Sequence, residues 1–169
     1  PAHLALALLE NEGIVKSVIT QNIDNLHQIA GNTLVYEFHG NTRQLRCLEC
    51  GRTILSESVS LNSLPPRCNL CQGLLKPDIV FFSEMIPPGV REQAFAEAEK
   101  ADVMLVVGST GEVMPAAYVP FTAKERNNAT VIEVNPEKSH FTKSVTDIFL
   151  KGPAGDILPR LTDLIGGKE

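Results

Sequence analysis

All four cysteines of the chain fall into one pattern: Cys47-x2-Cys50, seventeen residues, then Cys68-x2-Cys71. Each CxxC turn can set two thiolates on the same side of a metal ion. Two such turns separated by a short β-ribbon complete a tetrahedral shell of four sulfurs, the arrangement Zn2+ favours. Four protein ligands leave no open position for an activated water, so the expected role of the metal is structural. The competing reading is two disulfides, or a redox CxxC with a spare pair. Against it, the cysteine density is far below that of a disulfide-stapled miniprotein, and no stretch reads as a signal segment.

A second set of residues with chemical potential follows short apolar runs. These are Gln21-Asn22-Ile23-Asp24, His39-Gly40, Gly108-Ser109-Thr110-Gly111, Asn135 and the stretch Gly152 to Gly155. An amide and a carboxylate beside a histidine offer acid–base chemistry, and small residues let backbone N–H groups approach a phosphate or ribose. Each also has a plainer reading. The Gly-Ser-Thr-Gly stretch can be only a turn. His39 can be a satisfied core histidine, and Asp24 can cap a helix at Asn25–Ala30 and do nothing more. His3, His27 and His140 have no motif around them and read as structural or solvated.

The elements that must position these residues are legible from periodicity and punctuation. Pro1 to Glu12 reads as a helix with Leu4, Leu8 and Leu9 at helical spacing, ended by Gly13. Strands are expected at Ser17–Thr20, Leu34–Phe38, Asp78–Phe82, Asp102–Val107, Thr130–Val134 and Asp147–Lys151. A short helix runs to Gly31, and Pro87 to Lys100 is helical with Ala94, Phe95 and Ala98 on one face. Pro115 is expected to open a helix as its first residue, running to about Arg126. Asp156 to Ile165 closes the chain as a helix. The apolar run Asp102–Val107 is of the kind buried on both faces.

Strands alternating with helices indicate an α/β fold, a Rossmann-like doubly wound parallel sheet. The zinc segment interrupts it, giving a Rossmann-like body at 1–42 and 77–169 and a small zinc-ribbon module at 43–76. Right-handed crossovers put every loop that follows a strand on one edge of the sheet, where open α/β sheets bind ligands. That shared edge, more than any single residue, favours the functional reading.

Composition narrows the partners. The chain is 43% hydrophobic and 21% charged, enough to fill a core, and its net charge of −5 offers no basic footprint for nucleic acid. The apolar run Val103 to Val107, like the six-residue run Leu4 to Leu9, is far too short to span a membrane. A reduced, cytoplasmic setting is the economical expectation.

On these motifs the chain resembles the sirtuins, the NAD-dependent protein-lysine deacylases. Thr20-Gln21-Asn22-Ile23-Asp24 matches their TQNID, and Glu37-Phe38-His39-Gly40 is similar to the strand ending in their catalytic HG. The CxxC pairs match their zinc module, and Lys76 to Glu84 is similar to RPxVVxFGE. Val107-Gly108-Ser109-Thr110 resembles VGTS, Val113-x-Pro115 the following VxP, and Ile132-x-x-Asn135 the IxxN segment.

The resemblance implies roles for individual residues. His39 would be the general base on the nicotinamide ribose. Asn22, Asp24 and Ile23 would line the nicotinamide pocket, and Gln21 would contact the ribose. Gly108, Ser109 and Thr110 would hold the dinucleotide, Asn135 its adenosine ribose, and the Ala154 backbone would sit by the adenine. Val80 would supply a backbone acceptor and Phe82 a hydrophobic wall for the acyl-lysine. The peptide would add as a strand between Ser83–Glu84 and the Glu112–Val113 segment. The implied chemistry has two stages: the acyl oxygen takes the ribose C1′ and nicotinamide leaves, then the 2′-hydroxyl takes the acyl carbon with help from His39. The products are free lysine and O-acyl-ADP-ribose.

The chain departs from that pattern in three ways. Ser83 stands at the FGE glycine, and Ser109-Thr110 reverses the usual order. The GAGxS phosphate loop and GxPDFR segment, expected before Pro1, are absent. The expectation is therefore weak or no catalysis by this chain alone, with exposed apolar surface where a central strand is missing. Two alternatives accompany the deacylase: a catalytically incomplete, zinc-stabilised module binding ADP-ribose or peptide, and a mono-ADP-ribosyltransferase.

Overall fold

The computed structural model describes residues 1–166, so the last three residues of the expected 77–169 segment lie outside the described residues. The α/β alternation is present, but the parallel strands fall into two ladders. β1 (Val18–Thr20) pairs in parallel with β2 (Val35–Glu37), with the short helix α2 (Leu26–Ala30) between them in sequence. β6 (Val103–Val107), β7 (Thr130–Asn135) and β8 (Ile148–Lys151) form the second ladder in that spatial order, with every pair parallel.

Among the described residues no ladder bonds β1 to β6. Side chains join the halves instead. Phe38, fully buried, packs in one cluster with Ala94, Ala98, Ala116, Val119, Ala123 and Ala129, and Ile19, Tyr36 and Met104 lean on it from strands of both ladders. This corrects the expectation for Asp102–Val107. Among the described residues β6 ends its ladder and bonds only β7; Val106 is buried while Val103 is 56% exposed.

Helices cover the ladders. α3 (Pro88–Ala98) buries Ala94 and Ala98 as expected, with Phe95 beside Phe38 at 6.3 Å between ring centres. α1 (Ala2–Asn11) and α5 (Ala154–Ile165) pack together on β7 through Ala5, Leu158 and Val134. The buried stripe of α1 is Ala5–Leu9, four residues apart; Leu4 and Leu8 face outward. Burying Leu9 stabilises by roughly 1.5–3 kcal/mol.

α4 is Tyr118–Asn127, three residues later than Pro115 suggests. Ala117 N–H bonds Val113 O and Tyr118 N–H bonds Pro115 O, each at 3.0 Å, so a turn precedes the helix. The proline tolerated in the first helical turn is Pro120, whose missing N–H would have no helical acceptor.

The cysteine segment forms an antiparallel sheet of β3 (Gly40–Cys47), β4 (Thr53–Leu55) and β5 (Leu75–Ile79), in order β4-β3-β5. Its sheet thus runs from Gly40 to Ile79, beyond the expected 43–76. The strand expected at Asp78–Phe82 belongs to this ribbon and stops at Ile79, because β3 continues directly from His39 and draws β5 alongside it. Gly40 makes that crossing possible. Its φ is +70°, and a Cβ there would lie 2.1 Å from Asp78 O, a distance no side chain survives.

Among the described residues no helix is long and apolar enough to cross a membrane.

Candidate active site

The four thiols meet. All four Sγ atoms lie within 4.8 Å of one another, with Cys47 3.5 Å from Cys71 and Cys50 3.9 Å from Cys68. Tetrahedral bonds of about 2.3 Å require sulfurs about 3.8 Å apart, so the spacing suits Zn2+, and a disulfide would need about 2.05 Å. The two knuckles are built alike. Gly51 N–H bonds Cys47 O and Gln72 N–H bonds Cys68 O, and Gly51 and Gln72 both have positive φ.

The electrostatics suit a cation. Backbone N–H groups of Cys71 and Leu70 pull Cys68 down to about 7. The Gly73 N–H also pulls on Cys71, but its thiol neighbours, Cys47 foremost, push it up to about 12. Four crowded sulfurs cannot all ionise unless a metal shares their charge. Leu45 and Leu75 close the site from beneath.

His39 sits where β2 hands over to β3. Its Nδ1 is 3.1 Å from Gln21 O, and its own carbonyl accepts the Val80 N–H at 2.9 Å. A carbonyl only accepts, so Nδ1 carries the proton and Nε2 is left as the basic nitrogen. The loop facing it is fixed on both sides: Thr42 donates N–H and Oγ1 to Ile23 O at 3.2 and 3.0 Å, and Asn22 N–H bonds Thr20 Oγ1. Asp24 Oδ1, one residue before the helix cap Asn25, accepts the Leu26 N–H at 3.0 Å, yet Asp24 also lines the cleft.

That cleft, of about 1260 Å³, gathers Gln21, Asn22, Ile23, Asp24, His39, Val80, Phe82, Ser83, Glu84 and Val113. Sequence reasoning missed its other wall, Arg91, Glu92 and Phe95 of α3 with Met85 and Met114. Phe82 is 98% exposed and stands at the mouth. The segment behind it is latched: Lys76 Nζ bonds both Glu84 carboxylate oxygens and Ile79 O, and lies 4.7 Å over the Phe81 ring. The Lys76 ammonium and the Phe81 N–H hold Glu84 below the usual carboxylate range.

Ser83 has φ +72°, a left-handed conformation that costs an L-residue about 1–2 kcal/mol. Ser83→Gly is expected to stabilise by about 1 kcal/mol, raising the melting midpoint by about 2–4 °C. A midpoint that stays put or falls would show that the turn is not strained.

Gly108, Ser109, Thr110 and Asn135 form a second group. Gly108 N–H bonds Val134 O at 3.0 Å, and Asn135 Nδ2 donates to Ser109 O at 2.9 Å. Nothing lies within 4 Å of where a Gly108 Cβ would be, so a ligand can reach that backbone. Ala154 starts α5, just after Pro153. His27 is buried with its ring 4.6 Å from His3, and His140 is exposed beside Glu112, which agrees with the structural and solvated readings.

A residue the sequence did not flag, Glu133, is fully buried next to this group. Burial pushes its carboxyl up, but the hydroxyls of Ser139, Thr142 and Thr146 and the Asn135 amide together hold it below its ordinary value of 4.5. A depressed folded-state value stabilises above the unfolded value and is lost as pH falls through the folded one. The melting midpoint should therefore drop below pH 4.5 by less in Glu133→Gln than in the parent. Parallel acid limbs in the two proteins would remove Glu133 as a contributor.

The strand-end loops on a parallel α/β body and the four-thiol ribbon together define a Rossmann-like protein with a cluster compatible with zinc. Within that class the chain belongs to the Sir2 family, whose model matches residues 1–115. It is 49% identical over 167 residues to an NAD-dependent protein deacylase of Thermococcus kodakarensis, covering 95% of this chain and 64% of that protein. A Pyrococcus furiosus protein of the same description is 48% identical, covering 98% and 67%. Among solved structures, a Sir2 homologue–NAD complex superposes with TM-score 0.92 at 39% identity, covering 98% of this chain and 64% of that one. A Sir2–p53 peptide–NAD+ complex gives 0.91 at 33%, covering 99% and 70%. The chain thus spans about two thirds of the length of these relatives.

Proposed function

We propose that this chain carries the catalytic and metal-binding parts of an NAD-dependent protein-lysine deacylase, which passes the acyl group of an acyl-lysine to ADP-ribose and releases nicotinamide. The observation that carries the reading is the His39 ring, held at Nδ1 by Gln21 O in a cleft shared with Asn22, Asp24 and Val80 to Glu84. The relatives' description as deacylases, and the solved complexes with NAD and with p53 peptide, support it.

In this reading NAD is a co-substrate. Asn22, Ile23 and Asp24 receive its nicotinamide end and Gln21 its ribose. Gly108, Ser109, Thr110, Asn135 and the Ala154 backbone take the adenosine end. His39 Nε2 takes the proton of the ribose hydroxyl that attacks the acyl carbon. Val80 and Phe82 hold the acyl-lysine, and the peptide extends between Ser83–Glu84 and Val113. Apolar side chains at the cleft, among them Ile23, Ile86 and Phe95, keep water from the reacting carbon.

Cys47, Cys50, Cys68 and Cys71 would hold Zn2+, which supplies cross-linking and no chemistry in the cleft. The division into a dinucleotide-binding body at 1–42 and 77–169 and a ribbon at 43–76 is part of the same proposal. So is a cytoplasmic location, supported by thiols spaced for a metal and not joined as disulfides. A net charge of −5 offers no basic footprint for nucleic acid.

The test is nicotinamide release from NAD that depends on an acyl-lysine peptide. Release that ignores the peptide, with label passing from NAD to protein, would replace this reading with mono-ADP-ribosyl transfer.

A further inference from the structure

Glu133 is a buried carboxylate whose partners are all neutral. Ser139 Oγ donates to it at 2.6 Å, Thr142 Oγ1 at 2.7 Å, Thr146 Oγ1 at 2.8 Å and Asn135 Nδ2 at 3.4 Å. It stands in a strand between Ile132 and Val134, where an apolar side chain would avoid the cost of desolvating a charge. What it holds is therefore informative. The three hydroxyls come from one turn, residues 139–146, and the amide belongs to the residue that ends β7.

Both of these reach the Gly108–Gly111 loop. Asn135 Nδ2 also donates to Ser109 O at 2.9 Å, and His140 N–H donates to Thr110 O at 3.1 Å. The turn is stiffened from within by Ser139 N–H on Thr142 Oγ1 and Phe141 N–H on Ser139 Oγ. Phe141 closes under Gly111 so tightly that a Cβ there would sit 3.1 Å from its ring. Two hydrogen-bonded routes and one packing contact thus run from a single carboxylate to the loop that carries Ser109 and Thr110.

We propose that Glu133 is a positioning residue for the adenosine half of the dinucleotide, fixing the Asn135 amide and the 139–146 turn and, through them, the Gly108–Gly111 loop. The inference rests on the nucleotide-binding role given to that loop above. The cleft around His39 is built from other elements, so the effect falls on one end of the ligand.

The test measures ADP-ribose affinity, acyl-lysine peptide affinity and backbone amide exchange in Glu133→Gln. Thr162→Ala serves as a control, since it removes a buried hydroxyl bonded to Leu158 O within α5. Losing hydrogen bonds to a charged acceptor corresponds to roughly tenfold weaker ADP-ribose binding. Peptide affinity stays within about twofold, and the Gly111 and His140 amides exchange faster. Asn135→Ala weakens ADP-ribose similarly, and the double variant is no worse than either alone, as expected for one shared network.

Thr162→Ala changes neither affinity. Should Glu133→Gln be too unstable to assay, Ser139→Ala cuts its bond to Glu133 together with the Phe141 N–H bond within the turn, leaves the strand intact and is expected to shift the same readouts in the same direction. A Glu133→Gln or Ser139→Ala protein with parental ADP-ribose affinity overturns the proposal, as does one that loses peptide and ADP-ribose affinity equally. If the parent, extended to the length of its relatives, binds no ADP-ribose, the deacylase reading falls, and the amide exchange alone decides whether Glu133 positions the loop.

Discussion

In a protein extended to the length of its relatives, replacing His39 with alanine is expected to abolish acyl-lysine-dependent nicotinamide release while leaving the fold in place. Loss of a positioned base typically costs about 10²–10⁴-fold. The separation of activity from stability follows from the local division of labour. Phe38 faces the core and is fully buried, whereas His39 faces the cleft and is only partly covered. Its contribution to the seam between β2 and β3 is its carbonyl, bonded to Val80 N–H, and alanine keeps that bond. The ring is lost, and with it the Nε2 that the Gln21 contact leaves free to take a proton. Turnover and thermal melting of the same preparation make the comparison. Turnover above a tenth of the parent, in a protein that melts normally, would reduce His39 to a packing residue.

Removing the metal should have a larger effect on stability. One zinc per chain is expected, and a structural four-sulfur site contributes on the order of 10 kcal/mol or more of apparent binding free energy. Little else holds the ribbon: β4 is three residues long, and apart from Cys47 and Cys68 its buried cluster consists of Leu45 and Leu75, with Ile54 and Val59 packed alongside. Cys68→Ala, or chelation under reducing conditions, should therefore unravel β3–β4–β5 first. Among the described residues the parallel ladders share no strand pairing with this sheet and should melt separately. Metal content, circular dichroism and melting curves test this. A native, reduced preparation that contains no zinc and still melts in one cooperative step would sink the idea.

What could be read from the sequence were features set by local spacing. The thiol quartet depends on two CxxC turns, each shaped by its own few residues. The alternation of strands and helices came from periodicity, and the loops at strand ends followed from handedness. What escaped were features decided by tertiary partners. Glu133 sits in an apolar strand, and its hydroxyl donors at 139, 142 and 146 follow no spacing that marks them as a set. The α1 stripe fell on Ala5–Leu9 because α5 packs there, and small residues give a weak pattern. The Asp78–Phe82 strand was placed in the wrong sheet, since which strand it pairs with depends on the close pass of Gly40 against Asp78. Arg91 and Glu92 belong to no motif, and only the cleft they share with the Phe81–Met85 segment marks them.

The pairing of Gly40 with Ile79, next to the bond from Val80 N–H to His39 O, has a topological consequence. The chain leaves the parallel body and re-enters it at adjacent points. Past Thr42, which bonds Ile23 O, and before Lys76, which latches Glu84, the intervening ribbon is to that body equivalent to a hairpin turn, however long it grows. Closure entropy rises only slowly with loop length, about 0.6 kcal/mol per doubling. The ribbon can thus lengthen, shorten or exchange its sequence through descent while the strands on either side keep their register. The two gateposts, His39 to Thr42 and Lys76 to Val80, are where such drift must stop.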